Sequence, residues 1–318
     1  MVPSLKLISS RLRLKHMQLL IALDDHGSIH KAAHVINISQ PGATKSLHEI
    51  EDVLDTQLFE RKPKGIEPNE VGRCVIRYAR LVYSDLAHMR EEIVGIMQGH
   101  GGHIAIGTTM GAVPTMTKAI HNLRSVQPAI SIEIFEDTSA NLLKLLDKGR
   151  IDFAICRSSV GHKLAAYDSI ELSEEPLAVV ANKAHPLSNT SFLQLKDLSN
   201  YSWIVYPSNM PMRQSLEYEI NKAGLEIIQH PIETSSTFTT LMLLHQDPTL
   251  VAVIPEEVAK FCVNTNILSQ LDVCIPSSMG PYGVVRRSGS YLSSGAHLLI
   301  KELFKVFDQE YFIKSWDD

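Results

Sequence analysis

The chain has 318 residues, 44% of them hydrophobic, with 35 acidic and 30 basic side chains for a net charge of −5. That length exceeds what a single core ordinarily supports, so two or more domains are expected. The apolar fraction removes any need for disulfide or metal staples, and the net charge excludes a uniformly basic nucleic-acid binder.

The charge is unevenly spread. Residues 1–82 carry 12 Lys and Arg against 9 Asp and Glu, a surplus of +3, which leaves −8 on the rest. A mildly basic head on an acidic body suits a protein that docks on DNA by one end. The basic residues Lys6, Arg11, Arg13 and Lys15 precede only a short apolar run, residues 19–23, which Asp24 and Asp25 stop. Neither a signal peptide nor a membrane span is expected, and the cytoplasm is the expected location.

A first helix is predicted over 14–25, with Leu14, Met17, Leu20 and Ile21 as its apolar stripe and Gly27 ending it. Ser28 caps a second helix, in which Ile29, Ala32, Ala33 and Ile36 recur at helical spacing and the alanine pair admits a close neighbour. Asn37 closes it. Ser39 caps a third, and Pro41 fits its first turn, where the missing N–H costs nothing. Ala43, Leu47, Ile50 and Leu54 form the buried stripe of that helix, which leaves Pro41, Thr44, Lys45 and His48 on the opposite face. The turn at 37–40 is short enough to force a steep crossing of the two helices. A small, polar, basic helix face so presented suits a major groove roughly 12 Å wide. Residues 59–68 read as a β-wing, with Arg61, Lys62 and Lys64 placed to neutralise phosphates or reach a minor groove. Singly, these pieces also read as a plain bundle and a solvated loop; their order is what points to a winged helix-turn-helix.

The run Ala32-Ala33-His34-Val35-Ile36-Asn37-Ile38-Ser39-Gln40-Pro41-Gly42-Ala43-Thr44-Lys45-Ser46-Leu47, followed by Ile50-Glu51-Asp52-Val53-Leu54-Asp55-Thr56-Gln57-Leu58-Phe59-Glu60-Arg61, resembles the DNA-binding signature of LysR-type transcriptional regulators over residues 14–73. Gly42, Asp55 and the Thr44-Lys45 pair depart from the residues usual there, which bears on base preference. The resemblance implies that Gln40, Pro41, Thr44 and Lys45 contact the major groove and that Arg61 is the contact made by the wing. Ser28, Lys31, His48, Lys62 and Lys64 complete the candidate DNA contacts, within a head spanning 1–69. Glutamine can pair bidentately with adenine, Thr and Pro can touch a thymine methyl, and Lys suits guanine or phosphate.

Asn69 caps a long helix predicted over 70–98, with Val71, Val75, Tyr78, Val82, Met89, Ile93 and Ile96 in three- and four-residue steps, Leu86 nearby, and Arg80, Arg90, Glu91 and Glu92 on the flanks. An apolar seam of that length needs a partner. The resemblance implies antiparallel pairing with a second subunit, a dimer or tetramer, and double-stranded DNA bearing an interrupted inverted repeat as partner. Residues 99–102, Gly-His-Gly-Gly, form the expected hinge.

Beyond it, strands are predicted at 103–108, 131–136, 152–156, 177–182, 203–206, 251–254 and 282–286, and helices at 115–127, 139–149, 211–223, 236–246, 256–262 and 293–312. This alternation predicts α/β lobes with mainly parallel sheets. It resembles the two-lobed, periplasmic-binding-protein-like effector domain of the same family. Lobe I is placed at 103–168 and 280–318 and lobe II at 169–279, with crossings near 168–173 and 275–280. The effector is expected between the lobes. Candidate contacts are Thr108, Thr109, Thr138, Ser208 and Ser236 near helix starts, with Arg157 for a carboxylate or other anion, and Met110, Phe238 and Pro255 as apolar walls. Hydroxyls before helices are also ordinary caps.

Other readings are weaker. Residues 107–111, Gly-Thr-Thr-Met-Gly, follow a strand in the manner of a nucleophile elbow, yet no acid and histidine partner is evident, so an enzyme is not expected. A solute-binding protein would lack the head. The 14 histidines form no H-E-x-x-H spacing and the chain has no GxGxxG or P-loop, so neither metal nor cofactor is expected. The nearest cysteines, Cys262 and Cys274, stand 12 apart, and buried, reduced thiols are expected. RNA polymerase is a further candidate partner.

Overall fold

The computed structural model describes residues 3–63, 65–98, 102–161, 166–208, 210–225 and 230–307, with the side chains of residues 88, 91, 92, 95, 96 and 98 outside that description. Two compact units form: residues 1–102 with the short segments 144–151 and 289–291, and residues 103–143, 152–288 and 292–318. Among the described residues no helix is long and apolar enough to cross a membrane.

The head begins with a helix that sequence periodicity does not reveal. Helix α1 (Leu5–Arg11), capped by Ser4, buries none of its residues and so carries no stripe to read. Helix α2 (Leu14–His26) ends at Gly27, whose φ of +59° is the left-handed conformation glycine adopts most readily. Its buried face is His16, Leu19, Leu20, Ala22 and Leu23, whereas Leu14 is exposed, which corrects the expected stripe. The cause is a histidine on the apolar side, whose Nδ1 accepts from the Arg13 N–H at 3.4 Å. Helix α3 (Ile29–Val35) is capped by Ser28 and α4 (Gln40–Leu54) by Ser39, each hydroxyl accepting a backbone N–H three residues on. The four-residue turn between them places Asn37 at φ +57°, and Asp55 closes α4 at φ +52°. Asp occupies that left-handed site more easily than most non-glycine residues, which is why this departure from the family's usual residue is tolerated. Ala32, Ala33 and Ala43 lie in the core with Leu20, Leu47, Ile50 and Leu58. Strands β1 (Phe59–Lys62) and β2 (Gly65–Pro68) pair antiparallel as the wing. The Ile66 N–H donates to the Gly27 carbonyl at 3.0 Å, tying the wing to the turn after α2.

Helix α5 (Glu70–Gln98) runs for 29 residues. The Asn69 side-chain oxygen accepts the Gly72 N–H at 2.8 Å to start it. Ile76 and Ala79 pack into the head, and Arg80 donates to Asp24 at 2.8 Å and Asp25 at 2.6 Å. Val71, Tyr78, Met89, Ile93 and Met97 are exposed. Ile96, Glu91 and Glu92, named in the seam and flanks, have side chains outside the description, as do residues 99–101 of the expected hinge.

In the second unit the first sheet joins β3 (His103–Thr108), β4 (Ser131–Glu136), β5 (Phe153–Cys156), β6 (Tyr167–Ser173) and β12 (Tyr282–Arg287) in the order β4-β3-β5-β12-β6. Helices α6 (Val113–Val126) and α11 (Ser294–Val306) cover it through Met116, Leu123, Leu299 and Phe304. The second sheet joins β7 (Leu177–Ala181), β8 (Ser202–Val205), β9 (Ile232–Glu233), β10 (Leu250–Pro255) and β11 (Ser269–Gln270) in the order β11-β7-β10-β8-β9. Alternate residues of β7 and β10 enter separate cores, Val179 and Val253 on one side, Val180 and Ile254 on the other, as a sheet covered on both faces requires.

Three expectations are corrected. Segment 168–173, placed at the first crossing, lies in β6 and pairs with β12, so the chain leaves the first lobe after Ser173. The sheets are mixed: β3 pairs parallel with β4 and β5, and β8 with β9 and β10, whereas β12 runs against β5 and β6, and β7 against β10 and β11. The antiparallel strands are those flanking the crossings, where the chain leaves or re-enters a lobe instead of completing a right-handed crossover. Lastly, α11 ends at Val306, short of the expected 312; residues 308–312 are outside the description.

His16 and His185 are both buried, and burial pulls each imidazole below the ordinary 6.5, Arg13 assisting and Glu49 opposing at His16. A lowered folded-state pKa means the unfolded chain binds the proton more readily, so the stability from these neutral rings is full above about pH 6.5 and drains away as pH falls below it. Thermal melts from about pH 7.5 down to 5.5 should show a falling Tm, less steep in His185→Leu.

Candidate functional site

The first candidate surface is one face of α4. Burial of Ala43, Leu47 and Ile50 turns Gln40, Pro41, Lys45 and His48 out to solvent, with Thr44 half-buried beside them. These five residues line one shallow concave patch. Lys45 is 80% exposed, its ammonium 3.9 Å from Glu49, a surface pair one turn apart that constrains it little. The Thr44 hydroxyl donates to the Gln40 carbonyl at 3.1 Å. Elsewhere in the head, Ser28 is the α3 cap and Lys31 is exposed on the same first turn. Arg61 projects from the wing opposite Ile66, and Lys62 lies 3.2 Å from Glu60. Lys64 is outside the described residues.

The second is a cleft of about 470 Å³ in the α/β unit, within the usual range for small-molecule sites. Thr109, Met110, Thr138, Arg157 and Pro255 line it, as expected from sequence. Four candidates do not. Thr108 is fully buried, its hydroxyl donating to the Thr109 carbonyl; Ser208 is exposed; Ser236 caps α9 (Thr237–Gln246) by accepting the Thr239 N–H; and Phe238 is 73% exposed. Side-chain direction decides these cases, since each residue sits at the expected strand end or helix start. Asn209, beside Ser208, is outside the described residues.

Ser139 and Ser235, hydroxyls beside the predicted helix starts, also line it, and Glu136, Asp137, Glu175 and Tyr206, which the sequence did not single out, are among the residues that complete the lining. Arg157 lines the cleft and also faces Glu175. Its Nη2 is hydrogen-bonded to Glu175 Oε2 and its Nε donates to the Met279 carbonyl at 2.8 Å, so part of the guanidinium is engaged within the protein. Glu175 and Met279 lie one on each crossing segment. Burial, helped by Glu136 and Glu175, pushes the Tyr206 phenol up to about 12, which keeps it a neutral hydroxyl; that hydroxyl donates to Met110 Sδ at 3.1 Å. Gly111 passes directly under Glu175: a Cβ there would overlap Oε1 and press on Pro255.

Other chemistries find less support. Burial pushes the Cys156 thiol up to about 12 and raises Cys262, so neither is a ready thiolate, while Cys74 and Cys274 are exposed. Among the described residues no three His, Cys, Asp or Glu side chains are grouped to hold a metal.

Residues 14–73 match the family described as bacterial regulatory helix-turn-helix protein, lysR family, and residues 97–308 match the LysR substrate binding domain. The chain belongs to the LysR family of transcriptional regulators. Among its relatives in this family is the HTH-type transcriptional regulator GbpR of Azospirillum brasilense, 32% identical over 95% of this chain and 88% of the relative. The HTH-type transcriptional regulator PcaQ of Agrobacterium fabrum is 26% identical, covering 93% and 96% of the two chains. A full-length OxyR variant from Pseudomonas aeruginosa shares the fold at a TM-score of 0.60 and 18% identity, over 93% of this chain and 94% of that one. A crystal structure of full-length CbnR complexed with its target DNA does so at a TM-score of 0.60 and 15% identity, covering 93% and 100%. The LysR-type regulator is thus a DNA-binding protein with an effector-binding domain, and its relatives are transcriptional regulators, not enzymes.

Gly111→Ala should force Glu175 or Pro255 aside and lower stability by about 1–3 kcal/mol, as overpacking a tight site does. Urea denaturation of the variant against the parent chain measures this; an unchanged midpoint would show that the contact relaxes freely.

Proposed function

We propose that this LysR-type regulator binds an interrupted inverted repeat as a dimer, or a pair of dimers, and that a small molecule in the cleft of the α/β unit controls its action on transcription. The observation that carries the DNA half is the exposed cluster of Gln40, Pro41, Thr44, Lys45 and His48 on the first half of a helix whose other face is core. In this reading those side chains meet base edges in the major groove, while Ser28, Lys31, Arg61, Lys62 and Lys64 engage the backbone alongside. The apolar residues left exposed along α5 support pairing of two chains through that helix, since an unpartnered stripe of that length is costly in water. Occupancy of the cleft, lined by Thr109, Thr138, Arg157 and Pro255, shifts the population between two arrangements of the assembly, and with it the spacing of the reading heads, the bend of the DNA and the access of RNA polymerase.

Lys45→Ala should weaken operator binding and, if the ammonium meets a phosphate, reduce the slope of log affinity against log salt by about 1. Electrophoretic mobility shifts across a salt series measure both. An unchanged affinity in Lys45→Ala and in Arg61→Ala alike would move the reading surface elsewhere. Thr109→Val should leave operator affinity as it is while abolishing the response to effector in a footprinting assay; loss of DNA binding with the head still folded would contradict the division of labour.

A further inference from the structure

We propose that the effector is a zwitterion, an amino acid with an apolar remainder, whose carboxylate meets the free end of the Arg157 guanidinium and whose ammonium meets the carboxylate of Glu136. This rests on reading the cleft as the effector site and names the chemistry of what enters it.

The anion end comes first. Arg157 is 7% exposed and lines the cleft, where it is the one cation among the described residues. Its Nη2 faces Glu175 and its Nε the Met279 carbonyl, which leaves Nη1 without a partner among the described residues, and Nη1 is not enclosed. That nitrogen offers donors with no acceptor, and a carboxylate is the acceptor a guanidinium suits best. The start of α7 (Ser139–Asp147) stands beside it. Thr138, Ser139 and Ala140 line the same cleft, and the Arg157 N–H donates to the Ser139 hydroxyl at 3.2 Å. A helix start favours negative charge, so the two features agree on what belongs there.

The cation end lies two strands away. Thr108 of β3 pairs with Glu136 on one side and Ile155 on the other. Neighbouring strands about 4.8 Å apart set the backbones of those two residues roughly 10 Å from each other. Arg157 follows Ile155 by two residues, so opposite charges flank the end of β3. Glu136 lines the cleft, is exposed, and among the described residues its carboxylate has neither a hydrogen bond nor an ion pair. Its charge is near enough to the Tyr206 phenol to oppose ionisation there. Asp137, by contrast, is occupied by the Thr138 N–H at 2.7 Å and the Asn141 amide at 3.0 Å. With Arg157 and Glu175 cancelling, the lining is left negative by Glu136 and Asp137. A lone carboxylate therefore gains at Arg157 and is opposed at Glu136, whereas a lone amine leaves Nη1 unmet. One molecule bearing both groups satisfies both ends. Met110, Met212 and Pro255 supply apolar lining for its remainder.

The test is calorimetric titration of the full-length protein with matched trios of probes. One trio is L-leucine, 4-methylpentanoate and 3-methylbutylamine; the other is γ-aminobutyrate, butyrate and propylamine. Each trio is an amino acid followed by the same skeleton without its amine and without its carboxylate. An amino acid should bind, and both of its half-molecules should bind about tenfold or more weakly, as loss of a charged hydrogen bond does. The trio that responds reports the spacing of the two charges. Glu136→Gln, on an exposed edge where folding is not at stake, should lower the amino acid's affinity about tenfold and leave its carboxylate half no weaker. Arg157→Lys keeps a cation for Glu175 but removes the forked guanidinium. It should weaken the amino acid and the carboxylate half alike and spare the amine half, a split that a merely structural role would not produce. A carboxylate that binds as tightly as its amino acid, or an amino acid indifferent to Glu136→Gln, would overturn the ligand class. So would a neutral hexose such as glucose that binds where every amino acid fails; if Thr109→Val abolishes its binding, the cleft reading still stands. A probe whose affinity is the same in Glu136→Gln, Thr109→Val and Tyr206→Ala binds elsewhere, which sinks the cleft reading itself. Silence from both trios also overturns the inference.

Discussion

One guanidinium holds together the part of this regulator that senses. Arg157 leaves the end of β5 in the first lobe, grips Glu175 on the outgoing crossing and the carbonyl of Met279 on the returning one. Its own N–H donates to the Ser139 hydroxyl at the start of α7 (Ser139–Asp147), so the strand end, a helix start and both crossings share one residue. The cleft is built around that knot. Because the knot is a buried ion pair, removing one member would leave the other charge buried and unpaired.

The head follows a different logic, in which apolar burial dictates where polarity goes. Three alanines, Ala32, Ala33 and Ala43, let α3 and α4 approach closely, and the larger Leu47 and Ile50 anchor α4 below. Once that face is committed, the opposite one has nowhere to point but outward. The wing is positioned by a hydrogen bond from Ile66 to the Gly27 carbonyl, and α5 by Arg80 on Asp24 and Asp25. The face proposed to read DNA is thus assembled on rigid elements instead of a loop, which suits contacts that must match base edges closely.

Much of this is legible in the residues. Local signals read well: Ser28 and Ser39 as caps, Gly27 as a stop, and Asn69 at the start of a helix running to Gln98. They depend on backbone groups a few positions away, so the neighbouring sequence contains all of the physics. The α2 stripe misleads because His16, a polar type, lies on the buried face. Strand β6 escapes a local reading because its pairing partner, β12, lies more than a hundred residues on.

By itself, the sequence determined the family, the winged helix-turn-helix, the long helix and the outward face of α4, because each is written in short-range periodicity and capping. Only the tertiary structure decided which hydroxyls reach the cleft, that Thr108 and Phe238 do not, and that Arg157 is bound to Glu175. The reason is separation: the residues lining the cleft range from Thr109 to Met279, and no local pattern records that a carboxylate on one crossing meets a guanidinium at a strand end. That meeting ties the strand end that carries Arg157 to the crossing that carries Glu175.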